Sequence, residues 1–437
     1  MAKVTGKIQI SKEKAASIKK NVLGIDSFQK EIEKNIEKEI TDIIGVVLSG
    51  GVYLSASDIH FEPQEKKVKM RIRLDGMLHD VLFLPNETYR LLLSRIKLLA
   101  GLKLNVHNKP QDGSFEVVLP SEDKVDQLIE IRTSSLPADF GESIVMRILN
   151  PESLKNIEDL GLRNDLAELF KKQIQKPNGM IIITGPTGSG KTTTLYAFLK
   201  YIQKPEIKII TIEDPIEYRL KGASQTEINA KRGYDFASGL RSIVRQDPDV
   251  ILVGEIRDLE TAKISLQAAL TGHLVFSTLH TNDAAGSIPR LTSLGANAIN
   301  IGPAINMIVA QRLVRKVCKK CSTLMPASAE EKEKIKKSLK NVPKSILSNL
   351  NIKEGIRIPK IKGCEDCNFT GYKGRVGIFE AFLITKEVEA LILKNPAIFE
   401  IEELISKNGM LYMRQDGLIK VLQGVTTIEE INRVTGE

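Results

Sequence analysis

Residues 185–192, GPTGSGKT, confine the fold more tightly than any other part of this 437-residue chain. The pattern G-x-x-x-x-G-K-[ST] carries chemistry only where a strand runs into a tight loop and the loop opens a helix. Both flanks are present: residues 180–184 (MIIIT) read as a buried strand and residues 193–200 as a helix. Gly185, Gly188 and Gly190 let the backbone curl so that successive amides point inward at a polyphosphate, with the helix dipole behind them. Pro186, Thr187 and Ser189 complete the loop. Lys191 adds a compact charge for the β and γ phosphates of such a ligand, and the Thr192 hydroxyl is expected to ligate Mg²⁺.

The rest of the chain arranges itself around that loop. Residues 180–184, 209–212, 250–253 and 274–277 are apolar on both faces, as central strands of a helix-covered parallel sheet must be. They define an α/β nucleotide-binding core over 151–317. Before it, 41–150 reads as a mixed α/β domain, with a helix ending near Gly50 and Gly51, strands at 67–74 and 127–132, and helical spacing at 92–102. Residues 1–40, rich in Lys, Glu and Ile, read as a helical tether. Residues 318–374 hold all four cysteines, and 375–437 read as a C-terminal helical part.

Charge argues against nucleic acid as the partner. The net +9 is accounted for by residues 330–362, with an excess of +6 that counts Glu354 among its acids, and residues 1–40, with +3. The remainder is balanced, and the chain has no Trp, so neither a basic groove nor stacking platforms are indicated. The Lys-rich stretches read as solvated faces, with acidic lipid headgroups or an acidic partner as the alternative. Residues 1–20 lack the apolar segment of a signal peptide. The longest apolar runs, such as 43–48, fall far short of the ~20 residues that span a bilayer, so any membrane association is expected to be peripheral.

Two acidic clusters follow strands at the edge where parallel α/β sheets bind ligands. Glu213, Asp214 and Glu217 follow 209–212, and Glu255 follows 250–253. A carboxylate there either orients the attacking water and the Mg²⁺ shell or merely pairs with a neighbour such as Arg257. His273 and His280 flank strand 274–277, as catalytic or as hydrogen-bonded structural groups. Cys318 with Cys321 and Cys364 with Cys367 form two C-x-x-C pairs. Four thiolates meet the tetrahedral preference of Zn²⁺ and leave no open position, so the expected zinc is structural.

These residues resemble the ATPases of type II secretion and type IV pilus assembly. The resemblance runs from about Ala56 to the C-terminus, on ASDIHFE (56–62), RIRLDG (71–76), PQDG (110–113), the P-loop, TIEDPIE (211–217), RQDPD (245–249), GEIRD (254–258) and STLHTN (277–282). It implies a RecA-like P-loop core and ATP hydrolysis, with Glu213 and Glu217 as Asp-box acids, Glu255 as the Walker B glutamate and His273 and His280 as the His-box. It also implies a homo-hexameric ring in which the N-terminal domain offers arginines to the phosphates, Arg73 first and Arg71 next, with Arg245 or Arg241 from the core. Its implied setting is the cytoplasmic face of the inner membrane, with a platform protein and a recruitment protein as partners. The four-cysteine insertion resembles assembly and secretion members rather than retraction ones. Ser114 and Ser238 stand where arginines are common, and the recruitment domain of longer relatives is expected to be absent or reduced to residues 1–50. Two other readings stay open: a nucleic-acid translocase on the same core, and a nucleotide-regulated zinc scaffold without turnover.

Overall fold

The computed structural model describes residues 6–120, 126–348, 350 and 355–436. Residues 1–5 of the expected tether, and Glu354 of the Lys-rich stretch, lie outside them. The chain divides into two compact units, one formed by residues up to 153 with 362–371, the other by 154–361 and 372 onward.

The first unit is built on one seven-stranded sheet. Its strands are β1 (Gly6–Gln9), β2 (Asp58–Pro63), β3 (Lys67–Leu74), β4 (Met77–Pro85), β5 (Gln111–Leu119), β6 (Gln127–Ala138) and β7 (Gly141–Leu149), in the order β1-β5-β6-β7-β2-β3-β4. The strict alternation of β3, with Val68, Met70, Ile72 and Leu74 buried, turns one face to a core. Helices Ile40–Tyr53 and Asn86–Leu99 contribute their apolar residues to that core.

The tether expected over residues 1–40 does not hold for the described part of that range. Gly6–Gln9 pairs in parallel with β5, and Ile18, Phe28 and Ile32 are all buried in the core of this unit. Lys and Glu on the outer faces of helices Lys12–Asn21 and Ile25–Glu33 dilute the apolar spacing, so composition hides their inner faces. Gly50 and Gly51 also behave differently from the helix end expected there. The helix continues through both, because a Cβ on Gly50 would lie 2.2 Å from the Phe28 ring and one on Gly51 would lie 2.9 Å from Ile59. These glycines admit neighbours rather than terminate a helix.

The second unit carries another seven-stranded sheet, with β8 (Gly179–Thr184), β9 (Ile209–Glu213), β10 (Ala223–Glu227), β11 (Val250–Val253), β12 (Leu274–Leu279) and β13 (Ile305–Val317). A small antiparallel pair, β14 (Ser322–Pro326) and β15 (Arg357–Ile361), branches off, and β16 (Tyr372–Leu383) returns to the main sheet. The order is β10-β9-β11-β12-β8-β13-β16, parallel throughout except for the β13–β16 pair at one edge. β8 therefore lies inside the sheet. Its six residues are all buried, and each of Ile181, Ile182 and Ile183 contributes about 1.5–3 kcal/mol by leaving water. One face is covered by helices Asn164–Ile174 and Lys191–Ile202, where Phe170 meets Phe198 edge-on at 5.4 Å. The other is covered by helices Phe236–Val244 and Leu259–Leu270 together with the C-terminal helices.

The C-terminal part is thus not wholly helical. Residues 375–383 belong to β16, whose partner β13 lies some sixty residues earlier, so no local hairpin pattern announces it. The helices that follow, from Lys386–Ile392 to Ile428–Thr435, bury Val388, Ile401, Leu418 and Ile431 in the core of the same unit.

Candidate nucleotide site

The P-loop leaves the carboxyl end of β8 and opens helix Lys191–Ile202. Gly185, Gly188 and Gly190 have φ of +141°, +78° and +87°, values that L side chains rarely adopt. A Cβ at Gly185 would also lie 2.4 Å from the carbonyl oxygen of Gln311, and one at Gly190 2.8 Å from the Gln311 amide nitrogen, whereas Gly188 faces open space. The loop is therefore pressed against β13 and open on its other side. Ser189 is buried with its hydroxyl lacking a hydrogen-bond partner, as suits a group that awaits an anionic ligand. Lys191 Nζ donates to the carbonyls of Gly185 (2.8 Å) and Pro186 (3.2 Å). Burial lowers the pKa of its ammonium, and the negative charge of Glu255 works against that.

The register of the sheet decides which residues share this edge. β12 pairs with β8 from Leu274 opposite Gly179 to Leu279 opposite Thr184, so His280 emerges beside the P-loop. Thr281 accepts and donates around the Thr184 hydroxyl at 2.8 Å, stapling the two strand ends together. His280 Nε2 lies 3.2 Å from Glu255 Oε2, and Arg257 lies 2.5 Å from Glu255 Oε1. Glu255 is thus paired with an arginine and a histidine at the sheet edge beside the P-loop. His273 lies at the other end of the same strand, a six-residue length of about 20 Å away. There its Nδ1 faces the carbonyl of Ala268 at 3.1 Å. The fold brings His280 to the P-loop edge and does not bring His273.

Glu213 ends β9 but is held inward. It accepts from the hydroxyls of Tyr196 and Thr211, the latter at 2.6 Å, and from the Gln225 amide at 3.3 Å. Burial raises its carboxyl pKa despite these donors. Tyr196 belongs to the helix that the P-loop opens, so Glu213 ties that helix to β9. Glu217 is half-buried four residues further on, close enough for its charge to act on Glu213.

The arginines occupy ion pairs or caps. In the first unit Arg73 lies 3.4 Å from Asp58, and Arg71 pairs with Glu62 and Asp80. In the second, Arg241 pairs with Glu260, and Arg245 caps helix Phe236–Val244. Ser238 closes a capping box with Asp235 at the start of that helix, and Ser114 is buried in β5 opposite Arg132.

Two residues of the site carry no local sequence signal. Gln311 on β13 accepts from Thr194 at 2.7 Å beneath the P-loop helix, and Arg312 donates to the carbonyl of Asn282 at 3.5 Å. Their place follows from the pairing of β13 with β8, where Ala310 faces Thr184. None of the four cysteines is in a disulfide, and within one C-x-x-C pair Cys364 Sγ lies 3.8 Å from Cys367 Sγ.

A family model described as type II/IV secretion system protein matches residues 30–433. The chain belongs to that family. Among curated relatives, the type IV pilus assembly ATPase PilB of Acinetobacter baylyi is 41% identical over 407 residues, covering 92% of this chain and 67% of the relative. The type II secretion system protein E of Pectobacterium carotovorum is likewise 41% identical, covering 93% of this chain and 78% of that one. Among solved structures, the pilus retraction motor PilT with bound ADP is 26% identical, with a TM-score of 0.58, covering 90% of this chain and 96% of that one. The chain accordingly has the RecA-like fold of the secretion ATPases. Among the described residues no helix is long and apolar enough to cross a membrane.

Proposed function

We propose that this protein is an ATP-hydrolysing motor that drives assembly of a type IV pilus or a type II secretion pseudopilus. The observation that carries this is the P-loop cradle, with Lys191 folded back onto its own loop, beside the Glu255–His280 pair at one sheet edge. The curated relatives named as pilus assembly and secretion proteins support the cellular role.

Glycine-shaped backbone at residues 185–190 presents amides to the α and β phosphates, and Ser189 gains the partner it lacks. Lys191 exchanges the carbonyls of Gly185 and Pro186 for phosphate oxygens. Its half-desolvated ammonium then meets an anion in place of two weak acceptors. Thr192 would hold Mg²⁺, which supplies neutralisation of phosphate charge. Glu255 orients the attacking water, and His280 keeps its carboxylate in place and senses the γ-phosphate. Glu213 supports the edge from the end of β9, acting through Tyr196 on the P-loop helix, and Glu217 supports it from the segment that follows.

The four thiolates would hold Zn²⁺. A tetrahedron with metal–sulfur bonds of ~2.3 Å sets ligand sulfurs ~3.8 Å apart. Cys364 and Cys367 already stand at 3.8 Å. With every position taken by protein, that metal stabilises its loops and performs no chemistry. The motor works as a homo-hexameric ring on the cytoplasmic face of the inner membrane, where Arg73, with Arg71, is released from its acidic partner to reach nucleotide. A platform protein and a recruitment protein are its partners, and no specific nucleic acid is involved.

Phosphate release by the purified, metal-replete protein tests this reading. Lys191→Ala should lower release by about 100-fold or more. Wild-type protein that releases no phosphate, even with membrane partners added, would overturn it.

A further inference from the structure

Glu380 is a carboxylate with no place in the site described above, although it lies on the strand next to the one that supports the P-loop. It sits on β16, only 4% exposed, opposite Ala310 of β13. Its two oxygens accept from two backbone amides of distant segments: Oε1 from Ala284 at 2.8 Å and Oε2 from Met413 at 3.1 Å. Ala284 lies four residues after His280, and Met413 is the first residue of helix Met413–Leu422.

The segment between His280 and Ala284 is short and internally braced. Thr281 is bonded to Thr184 and donates to the carbonyl of Asp283 at 2.7 Å, and Asp283 accepts from Gly286 at 2.7 Å. Its near end is thus anchored to β8 and its far end to Glu380. We propose that Glu380 is a positioning residue that ties the His280 loop to the first turn of helix Met413–Leu422 and so fixes His280 beside Glu255. The chemistry requires a carboxylate. Two N–H donors meet two different oxygens, and an amide of the same shape would turn an NH₂ toward one of them, leaving a buried donor facing a donor. Burial pushes the Glu380 carboxyl pKa up, while the two amides stabilise its charge, in keeping with a group retained for its two acceptors.

The consequence is a path by which movement of the C-terminal helices reaches the hydrolytic edge without passing through the phosphate-binding loop. This inference rests on the proposed ATPase reading, and its test separates the two. Glu380→Gln is compared with wild type and with Glu430→Gln, another fully buried carboxylate of the same unit, which serves Arg315 and Arg433 and does not touch the His280 loop. Glu380→Gln should lower kcat about tenfold or more while the Kd for ATP stays within about twofold, since the cradle is untouched. Amide exchange at residues 281–284 should quicken in the same variant. Glu430→Gln should lower Tm and leave the kcat of the folded protein unchanged.

A kcat for folded Glu380→Gln within about twofold of wild type would overturn the proposal. So would an equal fall in kcat for both variants, which marks a merely structural role. Should Glu380→Gln not fold, exchange in the wild-type protein decides: retarded exchange at both Ala284 and Met413 supports the tie, and a fast Ala284 amide overturns it. Absence of hydrolysis in wild type would count against the ATPase reading, and the exchange measurement would still decide the tie.

Discussion

Replacing Glu255 by Gln separates chemistry from binding and folding at the proposed catalytic edge. The substitution keeps the shape of the side chain and removes its charge. What folding loses is small, because Arg257, its 2.5 Å partner, has a side chain 65% exposed. Such a pair contributes about 0–1 kcal/mol, which for a protein of this size moves Tm by no more than about 2–4 °C. What catalysis loses is large. A positioned carboxylate that orients or deprotonates water contributes about 10²–10⁴-fold, or roughly 2.7–5.4 kcal/mol of barrier. Binding should shift the other way if it shifts at all. The charge of Glu255 already reaches Lys191, so its removal takes a negative neighbour away from an incoming triphosphate. Glu255→Gln should therefore bind ATP as tightly as wild type or more tightly, melt within a few degrees of it, and release phosphate at least about 100-fold more slowly. Steady-state phosphate release, calorimetric titration and a thermal melt on one preparation check all three. Turnover within about threefold of wild type would refute the assignment and shift the base to Glu213, which would first have to leave its bonds with Tyr196, Thr211 and Gln225.

Two further outcomes bear on stability. Burial alone would raise the pKa of the Glu430 carboxyl, but bonds from Arg433 and Arg315 outweigh it and hold the pKa below the ordinary 4.5. A depressed carboxyl pKa gives stability that is present above the unfolded value and lost as pH falls through the folded one. Glu430→Gln should thus cost about 1.5–3 kcal/mol in denaturant unfolding at pH 7 and progressively less below pH ~4.5, and an equal loss at all pH values would contradict this. For the four thiolates, metal analysis should find one zinc per chain. Chelation, or Cys367→Ser, should release it and lower Tm by about 5 °C or more, whereas a metal-free wild type with unchanged Tm would contradict the site.

The readable and the hidden parts of this fold differ in how far apart the cooperating residues lie. β11 covers the expected residues 250–253, and β8 the expected 180–184 with one residue more, because strands apolar on both faces leave a continuous local run. The P-loop is legible for the same reason: strand, glycines, lysine and helix are consecutive. Gln311 is illegible because its role exists only through the pairing of β13 with β8 across more than a hundred residues. β16 is missed likewise, since its hydrogen bonds go to β13 rather than to a neighbouring hairpin arm. His273 and His280 look alike in sequence, but a six-residue strand between them necessarily sends them to opposite edges of the sheet. The N-terminal helices show how a dense Lys and Glu surface can conceal a core face, as Phe28 over Gly50 makes plain. Glu213 is placed at the right strand end by its sequence position, yet nothing local shows that Tyr196 will claim its carboxylate.

The central claim is that the loop at the end of β8 grips a magnesium-bound triphosphate. Isothermal titration of the folded, metal-replete protein with ATP and Mg²⁺ tests it most directly. Saturable uptake of nucleotide, abolished by Lys191→Ala and retained by Glu255→Gln, is the expected result. No heat of binding from a well-folded wild-type chain would contradict the account at its base.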